Sequence, residues 1–542
     1  MRDLLRDTIL GHTIRLLSRG HLLAYDQDLD LSSIAANGSD DSSPHSDSNS
    51  QSSSSAERPT ADDDDAEKGP KDRRMVDWVA NDPQNPRNWS TAKKVFVTFQ
   101  ICLLTTSVYI GSAIYTAGVL QVAEQFQVSQ VVAILGLSMF VLGYALGPMV
   151  WAPLSEIPYI GRNPIYIGTL VVFVVMQLGV IYAKNIGMLL AFRFLTGLFG
   201  SPVLATGGAT IADLFKPSKQ AYGIGVWGIS AVIGPSGGPV VAGWVAQADG
   251  YGWTWTIWEL MWLSAFCLLF LILFLPETSS SNILYRRTKR VRALTGEKDL
   301  MCEPELEAEG MTGKEIVLMV LVRPFTLSFT EPIVFFLNLY IALVYSLLYT
   351  WFESFPIVFL GIYNFNLGEL GLAFLGILAG AVIVIGPFVY YVHKYVEPQF
   401  NEKGELRPEI RLKPAFVGAF FIPLCLFWFA WTSRASVHWI VPIIGSSFFS
   451  IGTFLLFMSV LTYLGDAYPK YVASVFAGND LVRSISGAAF PLFATAMYDR
   501  LGVGWATSLL GFLSVAFIPI PFVLYRYGHQ LRLKSKMARH DI

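Results

Sequence analysis

The sequence predicts an all-α membrane protein with twelve transmembrane helices in two pseudo-symmetric six-helix bundles. Three observations carry this. Of 542 residues, 53% are hydrophobic and only 15% are charged, too apolar for a water-soluble chain of this length. Apolar segments long enough to cross about 30 Å of hydrocarbon recur along the chain. They divide six and six about a long polar stretch, the pattern of a two-bundle secondary transporter.

The same composition excludes other classes. A formal net charge of −2 leaves no basic surplus for nucleic acid. The cysteines (Cys102, Cys267, Cys302 and Cys425) form no CxxC pair, so neither a disulfide framework nor a zinc site is expected. The histidines form no HExxH, and no GxSxG stands in a strand context, which argues against a hydrolytic enzyme. No G-x-x-x-x-G-K-[ST] loop appears, so an ATP-driven pump is not expected. The expectation is a chain without cofactor or metal, driven by an ion gradient or passive.

In order, residues 1–31 begin with Leu4, Leu5, Ile9, Leu16 and Leu17 at helical spacing. Charges interrupt any signal-peptide core, and Asp3 and Asp7 argue against a transit peptide. The reading is a short amphipathic helix on the membrane surface. Residues 32–74 are rich in Ser and Asp and are expected to be disordered. Residues 75–93 form a juxtamembrane segment: Pro83 and Pro86 extend it, Ser90 caps the next helix, and Trp89, Lys93 and Lys94 suit an interface anchor.

Spans 1 to 6 are placed at 94–115, 130–152, 163–182, 188–213, 221–246 and 255–275. A polar loop follows at 276–331. Spans 7 to 12 are placed at 332–355, 369–392, 413–431, 437–462, 472–497 and 505–526, with a tail at 527–542. The central loop carries Arg286, Arg287, Lys289, Arg290, Arg292, Lys298, Lys314 and Arg323, whereas the 356–368 connection has no Lys or Arg. This asymmetry puts both termini and the central loop in the cytoplasm.

Several stretches carry chemistry. Gly223–Gly243 holds seven glycines with Pro235 and Pro239. Water would disfavour a helix there, but lipid enforces one, because unpaired backbone groups are costly. A bend near Pro235 is expected, with a bare face at Gly234, Gly238 and Ala242 for a close contact that is made and broken. Between spans 2 and 3, Gly143, Gly147 and Pro148 precede Ser155 and Glu156, then Gly161 and Arg162. The carboxylate and guanidinium can join neighbouring helices by a charge-assisted hydrogen bond, or else Arg162 sets topology while Glu156 is solvated. In span 4, Arg193 is an intramembrane cation, either functional or snorkeling from the end of the span. Asp213 ends that span, as a proton acceptor or a structural acid.

The Gly143–Pro164 stretch resembles the loop 2–3 motif of the major facilitator superfamily. Its G-P-x-x-x-x-P-L-S-E…G-R form is similar to the fungal drug:H+ antiporter family with twelve spans, here lengthened by Ile157–Ile160. Arg193, Gly197, Gly200 and Ser201 match that family's span-4 motif, which implies a role in proton coupling for Arg193. Because an arginine keeps its proton, it would act by tuning a nearby carboxylate. Gly234, Pro235, Gly238, Pro239 and Gly243 match the span-5 antiporter motif, with Ala242 where a glycine is common. Gly252–Trp255, Leu275–Thr278 and Phe476–Phe493 resemble further signatures, and the chain is similar to yeast benomyl/methotrexate-type multidrug resistance exporters. The resemblance implies the major facilitator fold and a proton gradient as energy source.

A substrate site is expected near the midplane between the halves. Asn338, Tyr345, Tyr349 and Phe352 recur along span 7 and offer flat apolar surface with polar handles, though such stripes also serve as packing. Glu353, Glu259 and the i, i+3 pair Asp480–Arg483 are further charged candidates, the last read as a structural pair. The function expected is a monomeric plasma-membrane antiporter that exchanges protons for diverse small toxic compounds such as azoles. A dedicated exporter of one metabolite or polyamine, a nutrient symporter and a non-transporting receptor are the alternatives.

Overall fold

The structure, a computed structural model, describes residues 6–18, 74–79, 81–248, 252–297, 299–310, 318, 322–402 and 404–541. Leu4, Leu5 and almost all of the Ser/Asp-rich segment lie outside the described residues. Each of the twelve apolar segments is helical. Spans 1 to 3 are Thr91–Ala113, Gln130–Glu156 and Asn163–Ile181. Span 4 is Ile186–Gly200 continued by Pro202–Leu214, the break falling where Pro202 lacks an N–H. Span 5, Pro217–Gln247, runs uninterrupted through Pro235 and Pro239. Span 6 is Trp253–Phe274.

The second half repeats the plan. Span 7 is Pro332–Phe355, and span 8 is Leu367–Ala373 continued by Leu375–Tyr391. Span 9 is Lys413–Thr432 and span 10 is Ile440–Ala467. Residues Ser474–Lys534 form one long rod by hydrogen bonding. At about 1.5 Å per residue it would be roughly 90 Å long, three membrane thicknesses. It is two spans: Gly502, at φ 71° and ψ 162°, folds span 12 back on span 11.

The segments outside the membrane are more ordered than their composition suggests. Ser90 accepts from the Lys93 N–H at 3.4 Å, the cap expected for span 1. Trp89, however, is buried beneath the Lys93 ammonium, 3.7 Å from its ring centroid, rather than lying in a lipid interface. The N-terminal helix, Ile9–Leu17, docks on the protein: Thr8 bridges Pro276, and the Asp7 carbonyl accepts from Glu277 N–H at 3.2 Å. The central loop contains a helix, Ser280–Thr295, whose Arg287 pairs with Asp82, and a strand Leu300–Met301 parallel to Arg74–Met75. In the C-terminal segment, Arg532 is fully buried and donates to Glu409 at 2.8 Å. The described N-terminal helix, central-loop helix and C-terminal segment lie on one side of the bundle, hereafter the terminal face.

Candidate functional site: the cavity between the bundles

Small residues set the spacing of the spans that build the site. A Cβ on Gly143 would meet the span-4 backbone, 2.8 Å from Leu198 N, and one on Gly147 would come within 2.5 Å of the Leu198 carbonyl. Spans 2 and 4 therefore touch backbone to backbone, as the sequence motif suggests. Pro148 and Ser155 are buried in span 2, and the Ser155 hydroxyl returns to the Ala152 carbonyl at 2.7 Å.

Across the span 2–3 loop the expected partner changes. Glu156 is exposed, and Arg162 instead pairs with Asp213, Nη2 to Oδ2 at 2.9 Å, while Nη1 donates to the Thr206 carbonyl at 3.2 Å. The lengthened loop turns the guanidinium away from its own helix end and onto span 4. Gly161 makes that turn at φ +79°, and a Cβ there would lie 2.5 Å from Glu277 Oε2. Glu277, from the Pro-Glu-Thr stretch after span 6, accepts from the backbone N–H groups of Arg162, Asn163, Thr278 and Ser279, at 2.9–3.2 Å. One carboxylate thus caps the start of span 3 and the start of the Ser280–Thr295 helix.

The second bundle contains a matching lock. Arg411, just before span 9, donates from Nε to Asp466 Oδ2 at the end of span 10, at 2.8 Å. Arg162 and Asp213 occupy the equivalent places before span 3 and at the end of span 4. Both pairs flank the mouth of a cavity of ≈ 430 Å³ between spans 4 and 5 of one bundle and spans 10 and 11 of the other. Its wall is mainly apolar and aromatic, with Leu204, Trp227, Phe454, Phe457 and Met458. Polar groups gather at depth: Tyr109, Tyr345, Asn479, Asp480 and Arg483.

Asp480 and Arg483 are 2% and 7% exposed. Arg483 Nε donates to Asp480 Oδ1 at 2.8 Å, and its guanidinium lies 5.0 Å from the Tyr345 ring centroid. Asp480 Oδ2 is buried without a hydrogen-bond partner. Sequence spacing identifies this pair but not its place on the cavity wall, which depends on how span 11 rotates against spans 2 and 7.

The cavity is closed on the side opposite the terminal face. The Tyr144 hydroxyl of span 2 bonds the hydroxyls of both Tyr345 (2.8 Å) and Tyr349 of span 7, and Tyr349 donates to Ser112 of span 1 at 3.2 Å. Beyond this layer, span 5 packs on span 8. A Cβ on Gly371 would lie 2.9 Å from the Pro239 carbonyl carbon, and one on Gly243 would lie 2.9 Å from that of Leu367. The Gly368 N–H donates to Gln247 Oε1 at 3.2 Å.

The expected bare face of span 5 is therefore divided. Gly234 and Gly238 face span 1 of the same bundle: a Cβ would meet Ile110 N or Ile114 N at 2.9 Å. Ala242 is fully buried. Gly243 and the Pro239 backbone make the contact between bundles. The span-7 stripe is divided too. Tyr345 lines the cavity, Tyr349 belongs to the closing layer, and Phe352 lies beyond it, stacked on Phe374 at 5.6 Å between centroids. Asn338 is not in the cavity wall; it donates to Ser328 at 3.1 Å and accepts from Asn479 at 2.9 Å.

Arg193 is fully buried rather than snorkeling. Nε donates to the Gly136 carbonyl and Nη1 to the Gly111 carbonyl, both at 2.9 Å. Its guanidinium carbon lies 4.7 Å from the Tyr115 ring centroid and 4.6 Å from that of Phe140. Among the described residues no carboxylate pairs with it, so the structure brings spans 1, 2 and 4 to Arg193 but not the acid that proton tuning calls for. Sequence reading also misses Arg411–Asp466 and Tyr144. The signal for the former is present, since each Arg opens the span after a loop of the terminal face and each Asp closes the next span. Nothing in the sequence singles out Tyr144.

Comparison with known proteins agrees with this architecture. The profile of the Major Facilitator Superfamily matches residues 101–491. The chain is 47% identical to "Transporter mfs1" of Schizosaccharomyces pombe, over 86% of this chain and 88% of that protein. It is 43% identical to "Fluconazole resistance protein 1" of Saccharomyces cerevisiae, over 85% and 84%, and 43% identical to "Multidrug transporter FLR2" of Candida glabrata, over 84% and 78%. Among solved structures, the proton:xylose symporter XylE superposes with a TM-score of 0.57 at 13% identity, covering 81% of this chain and 96% of that one, a likeness of fold alone. With the profile spanning most of both bundles and relatives of this identity over most of its length, the chain belongs to the major facilitator superfamily of membrane transporters.

Proposed function

We propose that the chain is a proton-coupled multidrug exporter of the fungal plasma membrane, acting as a monomer with its terminal face in the cytoplasm. The observation that carries this is the central cavity. It is open beside Arg162–Asp213 and Arg411–Asp466, closed at the tyrosine layer, and lined by aromatic surface with one buried ion pair. Such a wall suits flat amphipathic compounds of varied shape better than one sugar. The names of the fungal relatives support the same substrate class.

In this reading a compound enters from the cytoplasm and reaches Tyr345 and Asp480–Arg483. Asp480 is the group over which drug and proton compete, since its Oδ2 lacks a hydrogen-bond partner and lies at the cavity wall. Arg193 contributes by holding spans 1, 2 and 4 together, and Asp213 by locking the loop through Arg162. Protonation drives transport only if it favours one orientation of the bundles over the other. A polyamine exporter is disfavoured, because the cavity's carboxylates Asp213, Asp466 and Asp480 are each paired with an arginine.

The test is accumulation of a fluorescent dye and of fluconazole in yeast lacking its own pumps, with and without a protonophore. Lower accumulation in expressing cells, abolished by the protonophore, is expected. Equal accumulation in expressing and empty cells would refute export; protonophore-insensitive efflux would refute coupling.

A further inference from the structure

Beyond the tyrosine layer lies a second, smaller cavity of ≈ 100 Å³. It sits on the seam where the connection after span 1, the start of span 2 and span 5 of one bundle meet spans 7, 8 and 11 of the other. Glu353 reaches into it from span 7 and is only 8% exposed. Thr495 Oγ1 donates a hydrogen bond to its Oε2 at 3.1 Å. The other elements packed around it bring Thr116, Gln130, the Pro239 backbone, Gly371 and Phe374. No second titratable or charged group lines this cavity among the described residues.

An ionised carboxylate is costly at such a place, with one hydroxyl donor and no cation. A neutral acid is not. Pro239 and Gly371, which flank Glu353, also form a close backbone contact between spans 5 and 8. Closing the seam and burying Glu353 are therefore one event. When the bundles part on this side, the same carboxylate faces water and can ionise.

We infer that Glu353 is a proton-binding gate: it takes a proton from the outer solution when the seam is open, and the seam closes stably only over the neutral acid. The proton passes from outer water to a Glu353 oxygen and returns there when the seam reopens. The tyrosine layer separates it from the central cavity, so it regulates the return of the empty transporter and is distinct from the exchange proposed at Asp480. The inference rests on the proposal that the bundles take up two orientations which protonation can bias, but not on drug export or on net proton flux.

The experiment places spin labels on outer loops of opposite bundles, at Lys184→Cys and Ser436→Cys, in the full chain in lipid nanodiscs. Distances are measured by pulsed electron resonance in acidic and in alkaline buffer, with no gradient and no substrate. The unmodified site should give a short-distance population in acid and a growing long-distance population in alkali. Glu353→Gln should stay short in both, and Glu353→Asp should keep the response. A pH response in Glu353→Gln equal to that of the unmodified site would overturn the gate, as would no response with Glu353 present. The central-cavity reading fails separately, through dye efflux, because these distances are read without transport. Unchanged dye binding by Glu353→Gln would exclude simple misfolding.

Discussion

The two bundles share their frame and differ in their interiors. At the terminal face Arg162–Asp213 and Arg411–Asp466 are equivalent, each tying a loop of that face to the next span's end. Within the membrane the match ends. The first bundle buries a cation, Arg193, on two carbonyls and two aromatic rings. The second buries carboxylates, Asp480 against Arg483 and Glu353 against Thr495. The first bundle is thus braced by Arg193, a guanidinium that keeps its proton, whereas in the second the carboxylates Asp480 and Glu353 stand at the two cavities. In the proposed function this difference gives the first half a bracing role and the second half the proton chemistry.

The sharpest way to break this comparison is to exchange the two kinds of charge for neutral groups. Arg193→Ala removes the charged donors from the Gly111 and Gly136 carbonyls, hydrogen bonds that contribute about 1.5–3 kcal/mol each. Dye efflux should fall to background, and thermal unfolding of the purified protein should shift down. Asp480→Asn leaves a buried cation alone, a loss of about 3–5 kcal/mol. Here the double variant Asp480→Asn/Arg483→Gln should recover thermal stability without recovering efflux. Recovery of efflux in that double variant would make the pair structural.

The seam between bundles is the next target. Gly243→Leu drives a side chain into the Leu367 backbone, and overpacking of this kind costs about 1–3 kcal/mol. Efflux should drop by roughly 10- to 100-fold with normal membrane abundance, because the seal and not a bundle is damaged. Gly238→Leu, packed within the first bundle against span 1, should lower abundance as well as efflux. Gly237→Ala, with nothing within 4 Å of the added carbon, should change neither.

Smaller effects test the equivalence of the two locks. Asp213 and Asp466 are 22% and 30% exposed, so each pair contributes about 1 kcal/mol or less. Asp213→Asn and Asp466→Asn should slow efflux by similar, few-fold amounts. A large effect of one alone would end the symmetry argument. Smallest is a pH effect on the docked N-terminal helix. Burial, reinforced by Arg286, lowers His12 to about 4. The helix therefore binds fewer protons docked than free. Its docking is intact above about pH 6.5 and weakens as pH falls from there toward 4. Hydrogen-exchange protection over Ile9–Leu17, taken relative to the intrinsic amide rate at each pH, should be high at neutral pH and lower in mild acid.

The span pattern is legible in the sequence because lipid leaves the backbone few choices, so hydropathy alone locates every membrane span. Glycines at Gly143, Gly147 and Gly234 likewise announce close contacts. Which helix each one touches is not legible: Gly238 and Gly243 share a motif yet serve different interfaces. Ion-pair partners on different spans escape sequence reading for the same reason, unlike the i, i+3 pair Asp480–Arg483. Glu156 is near Arg162 in sequence, but Asp213 is brought to it by the packing of span 4. The aromatic stripe of span 7 passes through three environments, which periodicity cannot separate because the helix repeat says nothing of what each ring meets on the neighbouring spans.

The most direct test of the account measures dye and proton movement together in proteoliposomes. A dye trapped with the transporter should move only against protons flowing the other way, and Asp480→Asn should abolish both fluxes while Asp466→Asn keeps them linked. Dye transport with no accompanying proton flux, or linked fluxes of full size in Asp480→Asn, would contradict it.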